Sequence, residues 1–315
     1  DADGRELSVE GGEMSVAEGV ANGTLTVKDP VVWSPESPRL VTLVTELYRK
    51  GDLVDRRETR FGIRTVRVTP EGFLVNGKAV EIRGAGLHAD LGTIGPEFNA
   101  SAFRRQLHLL REMGCNAIRT AHNPPAPDAM AIADEEGFLV MAEALDMWKS
   151  AKVGKGYWRH FEKWGERDVA DLVRLYRNHP SIVMWSIGNE IWENDVRDTV
   201  TIGKRFVDIA HRLDPTRPVV QCIDRPGDCP VGYVQQLDLP CINYRVGWDP
   251  NEKRFLPDMH RASKSGLVII SEGSSITSSR GVYKFPVQVR TGGHKTDGSC
   301  EDGVKYPDGH CTSYD

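Results

Sequence analysis

The spacing of apolar residues changes at about residue 67. Before it, short runs with strand propensity stand between turn residues. They are Leu25-Thr26-Val27, Val41–Leu47 and Glu58–Phe61, punctuated by Asn22-Gly23, Pro30, Pro35, Pro38 and Gly51. Residues 1–66 therefore read as part of a β-sandwich, too short at the front to be a whole one. Next, Thr65–Thr69 and Phe73–Val75 flank a turn at Pro70-Glu71-Gly72, and Asn76-Gly77 reads as a hairpin turn.

From there apolar strands alternate with amphipathic helices. The pattern predicts strands at Ala79–Gly84, Ala117–Thr120, Phe138–Glu143, Ile182–Ile187, Pro218–Ile223, Leu239–Tyr244 and Leu267–Ser271. Between them it predicts helices near Ala100–Met113, Pro127–Glu136, Trp158–Arg177, Val196–Leu213 and Glu252–Ser265, with Gly114 and Gly137 where helix C-caps are expected. Strand–helix repetition implies parallel strands with right-handed crossovers. Polar residues gather at the strands' C-terminal ends, and no glycine-rich phosphate fingerprint follows any strand. The fold class is thus α/β, a (β/α)8 TIM barrel over residues 67–315 rather than a doubly wound sheet. The pattern yields seven barrel strands, not eight. Val282–Val289 follows the seventh too closely for a parallel crossover, and the tail 290–315 reads as irregular. The eighth strand is expected to be absent.

Composition narrows the function. The chain has 315 residues, a net charge of −5 and basic residues scattered among acidic ones, which argues against a nucleic-acid partner. No apolar run approaches the ~18 residues of a membrane span, so no membrane partner is expected. The start, Asp1-Ala2-Asp3-Gly4, shows neither an initiator Met nor a signal peptide, and reads as a chain entered partway through. A soluble protein is expected, with cytoplasmic, periplasmic and secreted locations all open. The six cysteines show no CxxC spacing, so no zinc site is expected. Cys300 and Cys311 could pair; the sequence leaves their state open.

Polar residues just past the strand ends of such a barrel face its active site. In order they are His88, then Arg119 through Asn123, then Glu143 and Asp146, then Asn189-Glu190, then Asn243-Tyr244-Arg245, then Glu272. Glu190 ends the apolar run Ile182 through Ile187 after Gly188-Asn189; an apolar wall there would raise its pKa, as a general acid requires. A lone Glu is more often a solvated loop residue, but the strand context reverses those odds. Glu272 likewise ends Leu267-Val268-Ile269-Ile270-Ser271. At roughly 30 residues per strand–helix unit it lies three units later, across the barrel mouth. Two carboxylates there can flank one glycosidic bond; their separation, which sequence cannot measure, decides between retention and inversion.

The run Asn116-Ala117-Ile118-Arg119-Thr120-Ala121-His122-Asn123-Pro124 and the run from Arg177-Asn178-His179-Pro180 through Gly188-Asn189-Glu190 resemble two signatures of glycoside hydrolase family 2. That family holds β-galactosidases, β-glucuronidases and β-mannosidases. Asp134 through Ala144 also fits, with Ala142 where members often have Asp. Trp33-Ser34-Pro35 through Phe61-Gly62-Ile63-Arg64 is similar to the end of the immunoglobulin-like domain that precedes the family's barrel. The resemblance covers about residues 1–290. It implies that Glu190 is the acid/base and Glu272 the nucleophile of a retaining reaction. It further implies that Asn189 bonds the sugar 2-hydroxyl, that Tyr244 donates to Glu272, and that Arg119 lies under Glu272 as positive charge. His88, His122, Asn123 and Asp146 join the substrate-binding set, although His122 could be purely structural. Trp148 joins as a stacking platform, and Trp192 is a second candidate; either could equally pack on the barrel rim.

The resemblance calls for no cofactor and no metal in the chemistry, and leaves room for a peripheral Mg²⁺ or Na⁺ ion. The partner is a carbohydrate, a β-glycoside; an oligomer is open for the full-length enzyme. A β-galactoside is the first expectation, because His88-Ala89-Asp90-Leu91-Gly92, Ser271 through Ser275 and Ser279-Arg280-Gly281 look most like the galactosidase branch. A glucuronidase would carry Asn-x-Lys beyond the nucleophile, whereas Asn251-Glu252-Lys253 here precedes it. The alternatives are a β-glucuronidase or β-mannosidase, a non-catalytic carbohydrate-binding barrel, which predicts loss of a carboxylate, and a metal-dependent hydrolase, which needs more His and Asp at strand ends. Lacking a jelly-roll domain and an eighth strand, the isolated chain is expected to be poorly stable or inactive.

Overall fold

The computed structural model describes residues 1, 4–244, 246, 249 and 251–273, together with two short strands beyond them. Cys300, Cys311, Arg245, Ser274, Ser275 and the Ser279-Arg280-Gly281 motif lie outside the described residues.

The N-terminal part holds β1 (Val9–Glu10) paired with β2 (Thr26–Val27), and a long antiparallel ribbon of β3 (Val41–Arg49) and β4 (Asp52–Phe61). A three-stranded antiparallel sheet follows, from β5 (Val66–Thr69), β6 (Gly72–Val75) and β7 (Lys78–Ala79). The Asn76-Gly77 turn sits between β6 and β7 with both residues at positive φ (51° and 76°), the geometry such a hairpin demands.

The barrel consists of β8 (Gly84–Leu87), β9 (Ala117–Thr120), β10 (Leu139–Glu143), β11 (Ile182–Asn189), β12 (Val219–Ile223), β13 (Leu239–Asn243) and β14 (Ile269–Glu272). All neighbours are parallel, and the sheet order equals the chain order. β14 comes back close to β8, so the seven strands curl into a nearly closed barrel. The helices α1 (Ala100–Glu112), α2 (Pro127–Glu136), α3 (Trp158–Tyr176), α4 (Val196–Leu213), α5 (Val231–Val234) and α6 (Glu252–Ala262) cover it. Asn99 caps α1 and Asp195 caps α4 through their side-chain oxygens.

Two expectations are corrected. The first barrel strand is Gly84–Leu87, not Ala79–Gly84. Ala79 closes the β6–β7 hairpin instead, while Val80 and Ile82 pack against the apolar cluster at the barrel floor. The reason is steric: Gly84 lies against β9, where an added Cβ would stand 2.9 Å from the Ala117 carbonyl oxygen. The tail, expected to be irregular from 290, forms an antiparallel pair of β15 (Gln288–Arg290) and β16 (Gly303–Lys305). Each strand centres on a valine, a strand former by its branched Cβ.

Two layers of core follow from the strands' alternation. Inside the barrel, Leu139, Met141, Val183, Met184, Val220 and Cys222 pack together; outside, Phe138, Trp185, Ile187 and the inward faces of α1–α4 do. The N-terminal segment is fastened under the barrel. Trp33 is completely buried and its Nε1 donates to the Asp134 carbonyl at 2.9 Å. Arg64 donates to the carbonyls of Pro180 and Ile182 at 3.0 and 2.8 Å. Arg217, from the other side, donates to the same Ile182 oxygen at 2.7 Å. β11 is thereby anchored at its start, and β11 carries Asn189 and leads to Glu190. No helix among the described residues is long and apolar enough to cross a membrane.

Truncating Trp33→Ala should cost about 3–5 kcal/mol of stability, the usual range for a fully buried aromatic. Tyr48→Ala on the exposed ribbon should cost under about 0.5 kcal/mol. Urea unfolding followed by circular dichroism checks the contrast.

Candidate active site

The strand ends deliver their polar side chains to one place. Arg119, near the end of β9, is 4% exposed, and it is surrounded by acceptors. Its Nη2 lies 2.9 Å from both carboxylate oxygens of Glu143, and its Nε lies 3.1 Å from Oε2. Nη2 also donates to Asn189 Oδ1 at 2.8 Å. Nη1 donates to Glu272 Oε1 at 2.5 Å. Strands β9, β10, β11 and β14 thus meet at one guanidinium.

Glu143 is fully buried. Burial pushes its carboxyl up, but the Arg119 charge and the His122 and Ser186 hydrogen bonds outweigh that and hold it below the usual range. Ser186 Oγ donates to Oε2 at 2.7 Å and His122 Nδ1 stands 2.8 Å from Oε1. That same Nδ1 is 3.0 Å from Arg119 Nη2, which can only donate. The ionised carboxylate is the stronger partner, so Nδ1 carries the hydrogen. Nε2 is then left facing Glu272 Oε1 at 3.9 Å. Position alone gives His122 a place beside both carboxylates; its ring also meets His88 edge-on at 5.0 Å.

Glu190 follows β11 with φ at +46°, in the left-handed region. Its N–H is spent on the Cys222 carbonyl at 2.8 Å, which turns the side chain back over the barrel mouth. Burial raises its pKa above the usual carboxylate range, and the nearby charges of Asp224 and Glu272 add to this; the Asn243 hydrogen bond and Lys152 oppose it. A carboxyl with a raised pKa keeps its proton to higher pH than an exposed one, as an acid must.

Asn243, at the end of β13, is the residue the sequence analysis passed over. It appears there only as part of a strand-end run, yet it is fully buried at the centre of the site. Its Nδ2 lies 3.0 Å from Glu190 Oε1, 2.9 Å from Glu272 Oε1 and 3.0 Å from Asn189 Oδ1. Ser271 Oγ donates to its Oδ1 at 2.6 Å and fixes which way the amide faces. The strand-end position that brought Tyr244 into view pointed equally to its neighbour.

The other expected residues are placed as follows. Asn189 uses its Nδ2 toward Asp146 Oδ1 at 3.2 Å, and Lys152 Nζ bonds Asp146 at 3.0 Å and the Asn189 carbonyl at 2.7 Å. His88, His122, Asn123 and Asp146 line one pocket of about 550 Å³. Tyr244, at φ +64°, is tied to Glu272 by its main-chain N–H, which donates to the Glu272 carbonyl at 2.7 Å. Trp148 is not a stacking platform. It is completely buried, its Nε1 donates to the Ile187 carbonyl at 3.0 Å, and it packs edge-on against Phe206. It supports the turn at Gly188, where a Cβ would meet the indole at 2.8 Å.

This strand-end constellation can be set beside known proteins. Residues 66–260 match the model of the glycosyl hydrolases family 2 TIM barrel domain, and residues 1–64 match a second glycosyl hydrolases family 2 model. The chain belongs to glycosyl hydrolase family 2. It is 37% identical to a Bacteroides ovatus β-galactosidase over 91% of its own length and 37% of that protein's. It is 32% identical to a Paenibacillus borealis β-glucuronidase, across 77% of this chain and 41% of the relative. A β-glycosidase from Bacteroides vulgatus superposes with a TM-score of 0.70 at 34% identity, over 84% of this chain and 32% of that one. The chain therefore spans well under half the length of these relatives.

The raised pKa of Glu190 has a sign that can be measured. A carboxyl whose folded pKa is raised lends stability below its unfolded pKa and loses it as pH rises through the folded value. Glu190→Gln cannot ionise, so its Tm should equal the parent's at low pH and exceed it as pH rises through the Glu190 pKa. Paired thermal melts across pH check this; an advantage that shrinks with pH would mean the carboxyl is not destabilised by burial. Separately, Asn243→Leu removes a donor shared by two carboxylates and should lower kcat by about 10²-fold, as lost preorganised donors do; steady-state kinetics on an aryl glycoside check it.

Proposed function

We propose that the protein is a retaining glycoside hydrolase that removes terminal β-linked sugars by double displacement, with β-galactosides as its preferred substrates. The observation that carries the mechanism is the convergence on Asn243. One nitrogen lies 3.0 Å from a Glu190 oxygen and 2.9 Å from a Glu272 oxygen. Those oxygens can stand no farther apart than the two distances laid end to end. So close an approach of one oxygen from each carboxyl favours the ~5–5.5 Å separation of a retaining pair over the ~6.5–9.5 Å at which an inverting pair seats a water.

The roles divide by environment. Glu190, kept protonated by burial, gives its proton to the glycosidic oxygen as the C1–O bond breaks. Glu272 sits against the Arg119 guanidinium; its Oε1 is held by Arg119 and Asn243, which leaves Oε2 to bond C1. In the second half, Glu190 takes a proton from water, the water oxygen bonds C1, and the ester to Glu272 breaks. Asn189, oriented by Arg119 and Asp146, is the contact for the sugar 2-hydroxyl. Every proton in this scheme moves on the chain's own side chains, so no cofactor is required. The substrate reading is supported by the β-galactosidase relative, which matches 91% of the chain, and by the position of Asn251-Glu252-Lys253 ahead of Glu272. A β-glucuronide is the second reading, since β-glucuronidases stand among the relatives.

In the full-length enzyme, a panel of 4-nitrophenyl β-glycosides should give the highest kcat/KM for the galactoside. With 2,4-dinitrophenyl substrate and azide, Glu272→Ala should yield the α-glycosyl azide and Glu190→Ala the β-anomer. Full activity in Glu272→Ala, or the reverse pattern of anomers, would overturn the assignment.

A further inference from the structure

Four successive barrel strands, β10 to β13, each contribute a sulfur to the inner core: Met141, Met184, Cys222 and Cys241. The hydrolytic scheme uses none of them. Cys222 and Cys241 are register partners on β12 and β13. Both are free thiols without solvent exposure, near enough to hydrogen-bond each other. The Met141 thioether, from β10, lies 4.0 Å from Cys222 Sγ. We propose that Met141, Cys222 and Cys241 form a binding site for one soft monovalent cation, Cu(I), and that its loading inhibits the enzyme.

Ligand chemistry selects the ion. Thiolates and thioethers favour Cu(I), whereas hard cations want oxygen. Two sulfurs 4.0 Å apart can both reach an ion held at the ~2.3 Å of a metal–thiolate bond. The carboxylate at hand, Glu143, is committed to Arg119, His122 and Ser186. Among the described residues no three His, Cys, Asp or Glu side chains group to hold a metal, so a zinc-type set is not formed; here a thioether completes the set.

Charge favours a monovalent ion. Burial pushes the Cys222 thiol well up and the Cys241 hydrogen bond adds to this, against the Arg119 charge. The sulfur therefore keeps its proton until an ion replaces it. On binding, the Cu–S bond forms, the S–H bond breaks and the proton leaves to solvent. One positive charge replaces another, and no oxidation state changes. A divalent ion would add a charge beside the Arg119 guanidinium.

A hollow of about 370 Å³ between β8 and β14 gives a soft ion its way in. Met141 and its register partner Met184 form part of the wall, so the ion meets thioethers first and the thiols after them. Cys222 Sγ also stands 3.4 Å from Glu143 Oε2. Binding removes that S–H donor and draws the sulfur toward the ion. Glu143 is the counter-charge of Arg119, which in turn grips Glu272, so loading disturbs the site from below.

The test uses Cu(I) itself, supplied without oxygen as its acetonitrile complex, in competition with bicinchoninate. Cys115, Cys229, Cys300 and Cys311 are first replaced by serine. One equivalent should bind, and X-ray absorption at the copper edge should show sulfur neighbours. Cys222→Ala, Cys241→Ala and the volume-conserving Met141→Leu should each weaken binding at least about tenfold, the loss that even an outer partner of a metal ligand brings. Met130→Leu, at a buried methionine outside the cluster, should not. Unchanged affinity in Met141→Leu, or nitrogen and oxygen neighbours in place of sulfur, would overturn the site; both measurements stand even where a cysteine variant fails to fold by circular dichroism. On the hydrolase reading, kcat for an aryl glycoside should fall at least about tenfold on loading and recover when bicinchoninate strips the ion. Loading without that fall would overturn the inhibitory role, whereas a protein that binds Cu(I) through these sulfurs yet turns over no glycoside in either state would count against the hydrolase reading alone.

Discussion

A guanidinium buried in a barrel must be surrounded by negative charge, and Arg119 is the point from which this site is laid out. Burying it alone would cost several kcal/mol; Glu143, itself without solvent, supplies the compensating charge. The pair leaves Arg119 with donors to spare, and these reach Asn189 and Glu272. Four strands that are not all neighbours therefore depend on one side chain for the positions of their ends. Loss of Arg119 would not simply delete a contact. It would strand Glu143 as an unpaired charge in the core, the most costly outcome for such a pair.

The same arrangement separates two carboxyls by environment. Glu272 faces Arg119 directly, whereas Glu190 faces the burial of its own loop and the charges of Asp224 and Glu272. Burial raises the pKa of Glu190, while Glu272 is gripped by Arg119 and Asn243; on the proposed reading this difference in surroundings divides the roles of acid and nucleophile between them. Asn243 joins them, so neither can move without the other.

Much of this was legible in the chain. Alternating apolar strands and amphipathic helices announce the parallel barrel, and strand-end position alone points to Arg119, Glu143, Glu190 and Glu272. Local sequence failed where tertiary packing decides. Val80 and Ile82 look like a strand because they are branched and apolar, but they pack on the barrel floor while β8 begins at Gly84. Trp148 looks like a sugar platform because it follows a strand end, but its indole fills the space under Gly188. Asn243 was missed for the opposite reason: an amide carries no charge to draw notice, and its value lies in three partners brought from two other strand ends.

The backbone at Glu190 carries one more consequence. A left-handed φ costs an ordinary L-residue roughly 1–2 kcal/mol, and glycine almost nothing. Folding alone would favour glycine there, and the proposed role of Glu190 supplies the reason for a glutamate instead. In any lineage where this barrel loses its substrate, position 190 should be among the first to drift, and it should drift toward the residue the backbone prefers.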